Sequence, residues 1–147
     1  MSIQTILTVP NPILRQTCVP VTAFDERLDR LLRDLRDTLA DYGPTGVGLS
    51  APQIGILEKV MMMLYRGREI VLINPEILTA EGAQTKTEGC LSCPGATVSV
   101  TRAQKIHVQA YTRKGKLIRL VEHGMMARII QHEMDHLNGI LILDKPH

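Results

Sequence analysis

Residues 124–139 read GMMARIIQHEMDHLNG, and the architecture turns on how they fold. The run from Gly124 through Leu137 is predicted to be a helix, closed by Asn138-Gly139, a pair suited to a helix C-terminus. Working back from it, residues 59–122 hold short apolar or alternating runs bounded by turn residues: VMMMLY, IVLIN, ATVSV, KIHVQAY and KLIRLV. Such runs are strands. Residues 113–116, RKGK, look like a hairpin turn between the last two. The spacing leaves no room for crossover helices, so the sheets are expected to be antiparallel. Further upstream, Leu28, Leu31, Leu32, Leu35 and Leu39 recur at helical spacing, with charged residues on the other face. Thr22 or Asp25 suits the cap of this first helix, and Gly43-Pro44 ends it. Two stretches are expected to lack regular structure: an arm at residues 10–20, with three prolines, and GVGLSAPQIG at 46–55. Helix, strands and helix give an α+β class: antiparallel β-sheets packed around a central C-terminal helix, with a Leu-rich N-terminal helix. One domain over residues 1–147 is expected.

The composition narrows the class of protein. Among 147 residues there are one Phe, three Tyr, no Trp and seven Met, so the core must be built from Leu, Ile, Val and Met. A net charge of +2 makes no case for a nucleic-acid partner. No apolar run approaches the roughly 20 residues of a membrane span. The N-terminus lacks the pattern of a signal peptide. Three cysteines make a disulfide framework unexpected, and reduced thiols fit better.

The second helix carries His132-Glu133-Met134-Asp135-His136, an HExxH sequence. Residues four apart lie on one helix face, so two imidazoles can grip one cation while the glutamate stands ready to take a proton from water. The same pattern also arises by chance on exposed helices. A catalytic site of this kind needs a third ligand. Ile142 occupies the position of a third histidine in the longer HExxHxxGxxH form, and no glutamate follows His136. The ligand must come from upstream, where Cys90 in Glu88-Gly89-Cys90-Leu91-Ser92-Cys93-Pro94-Gly95 is the best candidate. Three other readings of that segment stand beside it. Cys90 could be a small buried apolar residue. Cys90 and Cys93 could form a redox pair, although Pro94-Gly95 follows where a helix should. They could also close a four-ligand structural zinc site with both histidines.

Three separated blocks, GVGLSAPQ (46–53), EGCLS (88–92) and QHEMDHLNG (131–139), together resemble the signature motifs of peptide deformylases, in order and in spacing. The likeness extends over nearly the whole chain, including INPEI (73–77) and the stretch around Arg102. It implies that Cys90, His132 and His136 bind one divalent metal, iron(II) in the usual native form, with zinc, nickel or cobalt able to replace it. It implies that Glu133 is the general base and acid, and that the Gln53 amide and the Leu91 N–H stabilise the oxyanion. Gly46, Val47 and Gly48 match the loop that approaches the substrate. The implied reaction is hydrolysis of the formyl group from the N-terminal formyl-methionine of new proteins, releasing formate. The implied partners are nascent formylated peptides, met near the ribosome by a monomer in the cytoplasm of a bacterial or phage-infected cell; an organellar origin fits equally. The chain ends at His147, where many bacterial relatives continue with another helix, so a short form without that docking extension is expected. Cys93 stands where an aliphatic residue is more usual.

Met125, Ile129, His132 and His136 follow helical spacing and should share a face. Met125 and Ile129 are therefore candidates for the pocket that receives the substrate methionine; the alternative is that both are simply core. Glu88, Arg102 and Asp135 are implied by the resemblance to pair and hold the ligands, against the alternative of separate solvated charges. Two rivals use the same residues differently: another metal-dependent amide hydrolase, and a non-enzymatic zinc-stabilised binding module that adds Cys93 as a ligand.

Overall fold

The computed structural model describes residues 3–145. Met1, Ser2, Pro146 and His147, at the limits of the expected domain, lie outside the described residues. The first helix, α1, spans Glu26–Tyr42. Asp25, not Thr22, caps it: its carboxylate accepts from the N–H groups of Arg27 and Leu28 at 3.1 and 3.3 Å. Gly43, with φ at 111°, turns the chain out of the helix.

Seven strands follow: β1 (Gly48–Ser50), β2 (Val60–Tyr65), β3 (Arg68–Glu81), β4 (Gln84–Glu88), β5 (Val98–Arg102), β6 (Lys105–Tyr111) and β7 (Leu117–His123). Five of them form an antiparallel sheet in the order β1-β2-β3-β6-β7; β4 and β5 form a separate two-stranded antiparallel sheet. The last helix, α2, spans Gly124–Leu137.

The apolar run VMMM in β2 is buried throughout because both faces of the sheet are covered there. Met61 and Met63 pack with Met126, Ala127, Ile129 and Ile130 of α2. Val60 and Met62 face the other way, onto Leu28, Leu31, Leu32, Leu35 and Leu39 of α1. Each such side chain, taken fully out of water, contributes about 1.5–3 kcal/mol. In β6 only one face is covered, and burial alternates residue by residue. The RKGK hairpin turn joins β6 to β7, with Thr112 N–H donating to Lys116 O at 2.9 Å.

The expectation that residues 46–55 are irregular is corrected. Gly48–Ser50 pairs with Met61–Met63 as a short edge strand, and Ala51–Ile54 forms a 3-10 turn. Pro52 is tolerated because it stands in the first turn, where no N–H is needed. The arm is likewise less irregular than expected: Pro12–Arg15 is a 3-10 turn capped by the Asn11 side chain. The strand read as ATVSV begins only at Val98.

Helix α2 ends in a tight C-terminal lock. Gly139 N–H donates to His136 O, and Ile140 N–H to Asp135 O, the paired bonds of a Schellman closure. Gly139 has φ at 72°, and a Cβ there would lie 2.5 Å from Arg15 O, so only glycine fits. The last turn of the helix, which holds His136, is thereby anchored to the N-terminal arm.

Candidate metal centre

His132 and His136 project from one face of α2, their ring centroids 5.3 Å apart. Cys90 reaches them from the loop after β4. That loop folds through two consecutive turns, with Cys93 N–H donating to Cys90 O at 3.0 Å and Ala96 N–H to Cys93 O at 3.1 Å. Cys90 Sγ stands 3.3 Å from His136 Nε2. Among the described residues these three form a group whose ligand atoms lie within 4.8 Å of one another. Cys93 is outside this group. Its side chain packs with Leu14, Leu141 and Ile142, and burial and the neighbouring Cys90 push its thiol up to about 11.

The surroundings fit a divalent cation. Burial lowers both imidazoles' affinity for protons, yet the hydrogen bonds of His132 with Cys90 and Glu88 hold it up at about 10. The negative potential that retains a proton there would equally retain a cation. Burial and the positive charges of His132 and Arg102 push His136 down to about 3, which leaves it a neutral imidazole at physiological pH, the form that can coordinate a cation. Thiolate and imidazole donors suit zinc and iron(II) better than magnesium or calcium.

Glu88 is the hub behind the candidate ligands. Its Oε1 accepts from His132 Nδ1 at 2.9 Å and from Arg102 Nη2 at 2.8 Å, and its Oε2 from Arg102 Nε at 2.7 Å. A carboxylate can only accept, so His132 carries its proton on Nδ1 and turns Nε2 toward the centre. Burial alone would raise the Glu88 pKa, but the bonds from His132 and Arg102 hold it down at about 2. Arg102 Nη1 also donates to Asp135 at 2.8 Å. The charges at 88, 102 and 135 are thus one paired network, buried at Glu88 and Arg102 and half-buried at Asp135, rather than separate solvated groups.

Glu133 is 4 % exposed, and its Oε1 is buried with no protein partner. Burial pushes its pKa up to about 7, tempered by the positive charges of His132 and Arg102. Its Oε2 lies where a Cβ on Gly48 would sit, at 2.6 Å. Gln53 is fixed at its carbonyl by Ser50, whose N–H donates at 2.9 Å and Oγ at 3.0 Å; its amide donates to Ser92 Oγ at 3.1 Å and faces Cys90 Sγ at 3.8 Å. Holding the Gln53 side chain gives a task to a serine to which the motif itself assigns none.

A cavity of about 490 Å³ opens onto this cluster. Val47, Gly48, Leu91, Met125 and Ile129 line it together with Gln53, Glu88, Cys90, His132 and Glu133. Ile129 both lines the cavity and belongs to the core, so the two readings of it are compatible. Met125 lies at the cavity's edge, 38 % exposed. Gly46 is not on the wall; it packs against Leu39 and Tyr42. Sequence reasoning passed over Ser92 and Arg128. The signal for Arg128 was a lone charge in the apolar run MMARII, at i−4 from His132 and i−7 from Asp135.

An α+β domain that gathers a cysteine sulfur, two imidazoles and a buried carboxyl oxygen without a partner beside one cavity has the features of a metal-dependent hydrolase built on an HExxH helix. A family model described as polypeptide deformylase matches residues 3–147. A peptide deformylase of Syntrophomonas wolfei is 43% identical over 99% of this chain and 94% of its own length. Peptide deformylase 1 of Bacillus subtilis is 45% identical over 99% and 91%. The crystal structure of the Thermotoga maritima peptide deformylase superposes with a TM-score of 0.94 at 37% identity, over 99% of this chain and 98% of that one. The chain belongs to the polypeptide deformylase family, metal-dependent hydrolases that remove the formyl group from the N-terminal formyl-methionine of newly made proteins.

Proposed function

We propose that Cys90, His132 and His136 hold one divalent metal, iron(II) in the native protein with zinc, nickel or cobalt as substitutes, and that this single domain deformylates nascent peptides as a monomer in the cytoplasm. A cation held there supplies Lewis acidity for activating water and polarising the formyl carbonyl. Glu133 takes the proton of the attacking water and returns it to the departing amine. A pKa near neutrality suits both halves of that task. The Gln53 amide and the Leu91 N–H meet the charge that builds on the formyl oxygen; one such donor is worth about 3 kcal/mol, or roughly 10²–10³ in rate. Val47, Gly48, Met125 and Ile129 receive the substrate's first residue. Glu88, Arg102 and Asp135 hold the ligands in register.

The observation that carries this reading is the convergence of three ligand atoms within 4.8 Å beside a buried carboxylate oxygen that no protein group satisfies. Anaerobic purification with elemental analysis, then a formate-release assay, tests it. One metal per chain and hydrolysis of formyl-Met-Ala-Ser but not its acetyl analogue are expected. Equal cleavage of the acetyl peptide would instead point to a broader amide hydrolase.

A further inference from the structure

Arg128 lies one helical turn before His132 on α2 and is 3 % exposed. Its side chain contributes to the wall of the cavity, while its guanidinium is turned from bulk solvent and spans both strands of the small sheet. Nη2 donates to Gln84 O in β4 at 2.7 Å and to Val100 O in β5 at 2.9 Å. Nε donates to Gln84 Oε1 at 3.4 Å, and Nη1 donates to Glu88 Oε2. No other residue of α2 reaches backbone carbonyls on both of these strands in the described structure.

Two consequences follow for the centre. Arg128 and Arg102 Nε together occupy Glu88 Oε2, so Oε1 is left to His132 and Arg102 Nη2. Cys90 comes two residues after Glu88, on the loop that leaves β4, so the hold on Glu88 also sets the approach of the Cys90 sulfur to both imidazoles. Burying a guanidinium is costly unless its donors are matched, and four of its five N–H groups have protein acceptors here. An apolar residue of the same length could fill the space but could neither tie the strands nor direct the carboxylate.

We infer that Arg128 is a positioning residue of the metal centre: by holding Glu88 it orients His132 and fixes the end of β4 from which Cys90 follows, while its bonds to the Gln84 and Val100 carbonyls fasten the small sheet to α2 and serve stability. This rests on the functional reading above. Arg128 touches no reacting atom and acts through Glu88.

The test uses zinc-loaded full-length protein, with the zinc dissociation constant from chelator competition, kcat and KM on formyl-Met-Ala-Ser, and Tm. Arg128→Met should weaken zinc binding about 10- to 100-fold and lower kcat more than it raises KM. In a Glu88→Gln background the same change should alter zinc affinity less than about threefold, because the route through Glu88 is already cut. Arg128→Lys keeps one donor for Glu88 but cannot span both strands, so it should lose Tm while holding zinc affinity within about threefold of the parent. Losses that add in the double variant would overturn the inference, as would an Arg128→Lys protein whose zinc affinity falls in step with its Tm. If the unaltered chain hydrolyses formyl-Met-Ala-Ser and Arg128→Met leaves zinc affinity unchanged, the inference alone fails. An unaltered chain that neither binds zinc nor releases formate removes the functional reading and this inference with it.

Discussion

At the scale of single residues, the centre works by what is withheld as much as by what is supplied. Gly48 withholds a side chain. A Cβ there would stand 2.6 Å from Glu133 Oε2, so Gly48→Ala must displace the carboxylate. A displacement of about 1 Å can cost on the order of 10² in rate, so kcat should fall by about that factor while metal content stays at the parent level. Elemental analysis beside the formate assay checks both. The two cysteines of EGCLSC separate cleanly. Cys93→Ser should retain metal and activity, because its thiol packs on Leu14, Leu141 and Ile142 outside the ligand group; Cys90→Ser should lose both. Metal loss from Cys93→Ser would favour the closed four-ligand site. Glu133 and the two histidines could be placed from HExxH alone. Arg128 could not, since a charge in an apolar run reads the same whether it snorkels to water or is buried against strands of distant sequence.

At the scale of elements, α2 has two duties that its sequence interleaves. One stripe (Met126, Ala127, Ile130) packs under the sheet, and a neighbouring stripe (Met125, Ile129, His132, Glu133) borders the cavity. Ile129 lies where the two meet. Ile129→Trp should therefore raise KM for formyl-Met peptides several-fold or more and lower Tm slightly, since a bulky ring both fills the cavity and overpacks the core. A formyl-Ala peptide should lose less than formyl-Met; equal losses would mean that the cavity does not hold the first side chain. Both helices were legible from periodicity and caps, and the strands from alternation. Strand β1 was not, because three residues among glycines and prolines acquire strand geometry only by pairing with Met61–Met63, and nothing local specifies that partner.

For the whole molecule, the large sheet rests between α1 and α2, while the small sheet is fastened to α2 through the buried charges of Glu88, Arg102 and Arg128 and the half-buried Asp135. Because Glu88 titrates at about 2 when folded and at about 4.5 ordinarily, its contribution to stability is fully present above pH 4.5 and is lost as pH falls through 2. Urea unfolding of metal-free protein should show Glu88→Gln less stable than the parent at pH 7, by a few kcal/mol for a broken buried pair, with the gap closing over that acid window. A gap independent of pH would mean that Glu88 is not charged in the folded state. The sequence by itself determined the class, the two helices, the metal-ligand candidates and the glutamate beside them, because helical periodicity, capping and HExxH spacing are local properties of the chain. Only the tertiary structure decided which cysteine joins the histidines, that Glu88 is clamped by two arginines, and that the Gln53 loop is a strand and a turn. Those outcomes depend on contacts between segments tens of residues apart, and burial, which turns a solvated charge into a directed hydrogen bond, exists only once the chain has closed on itself.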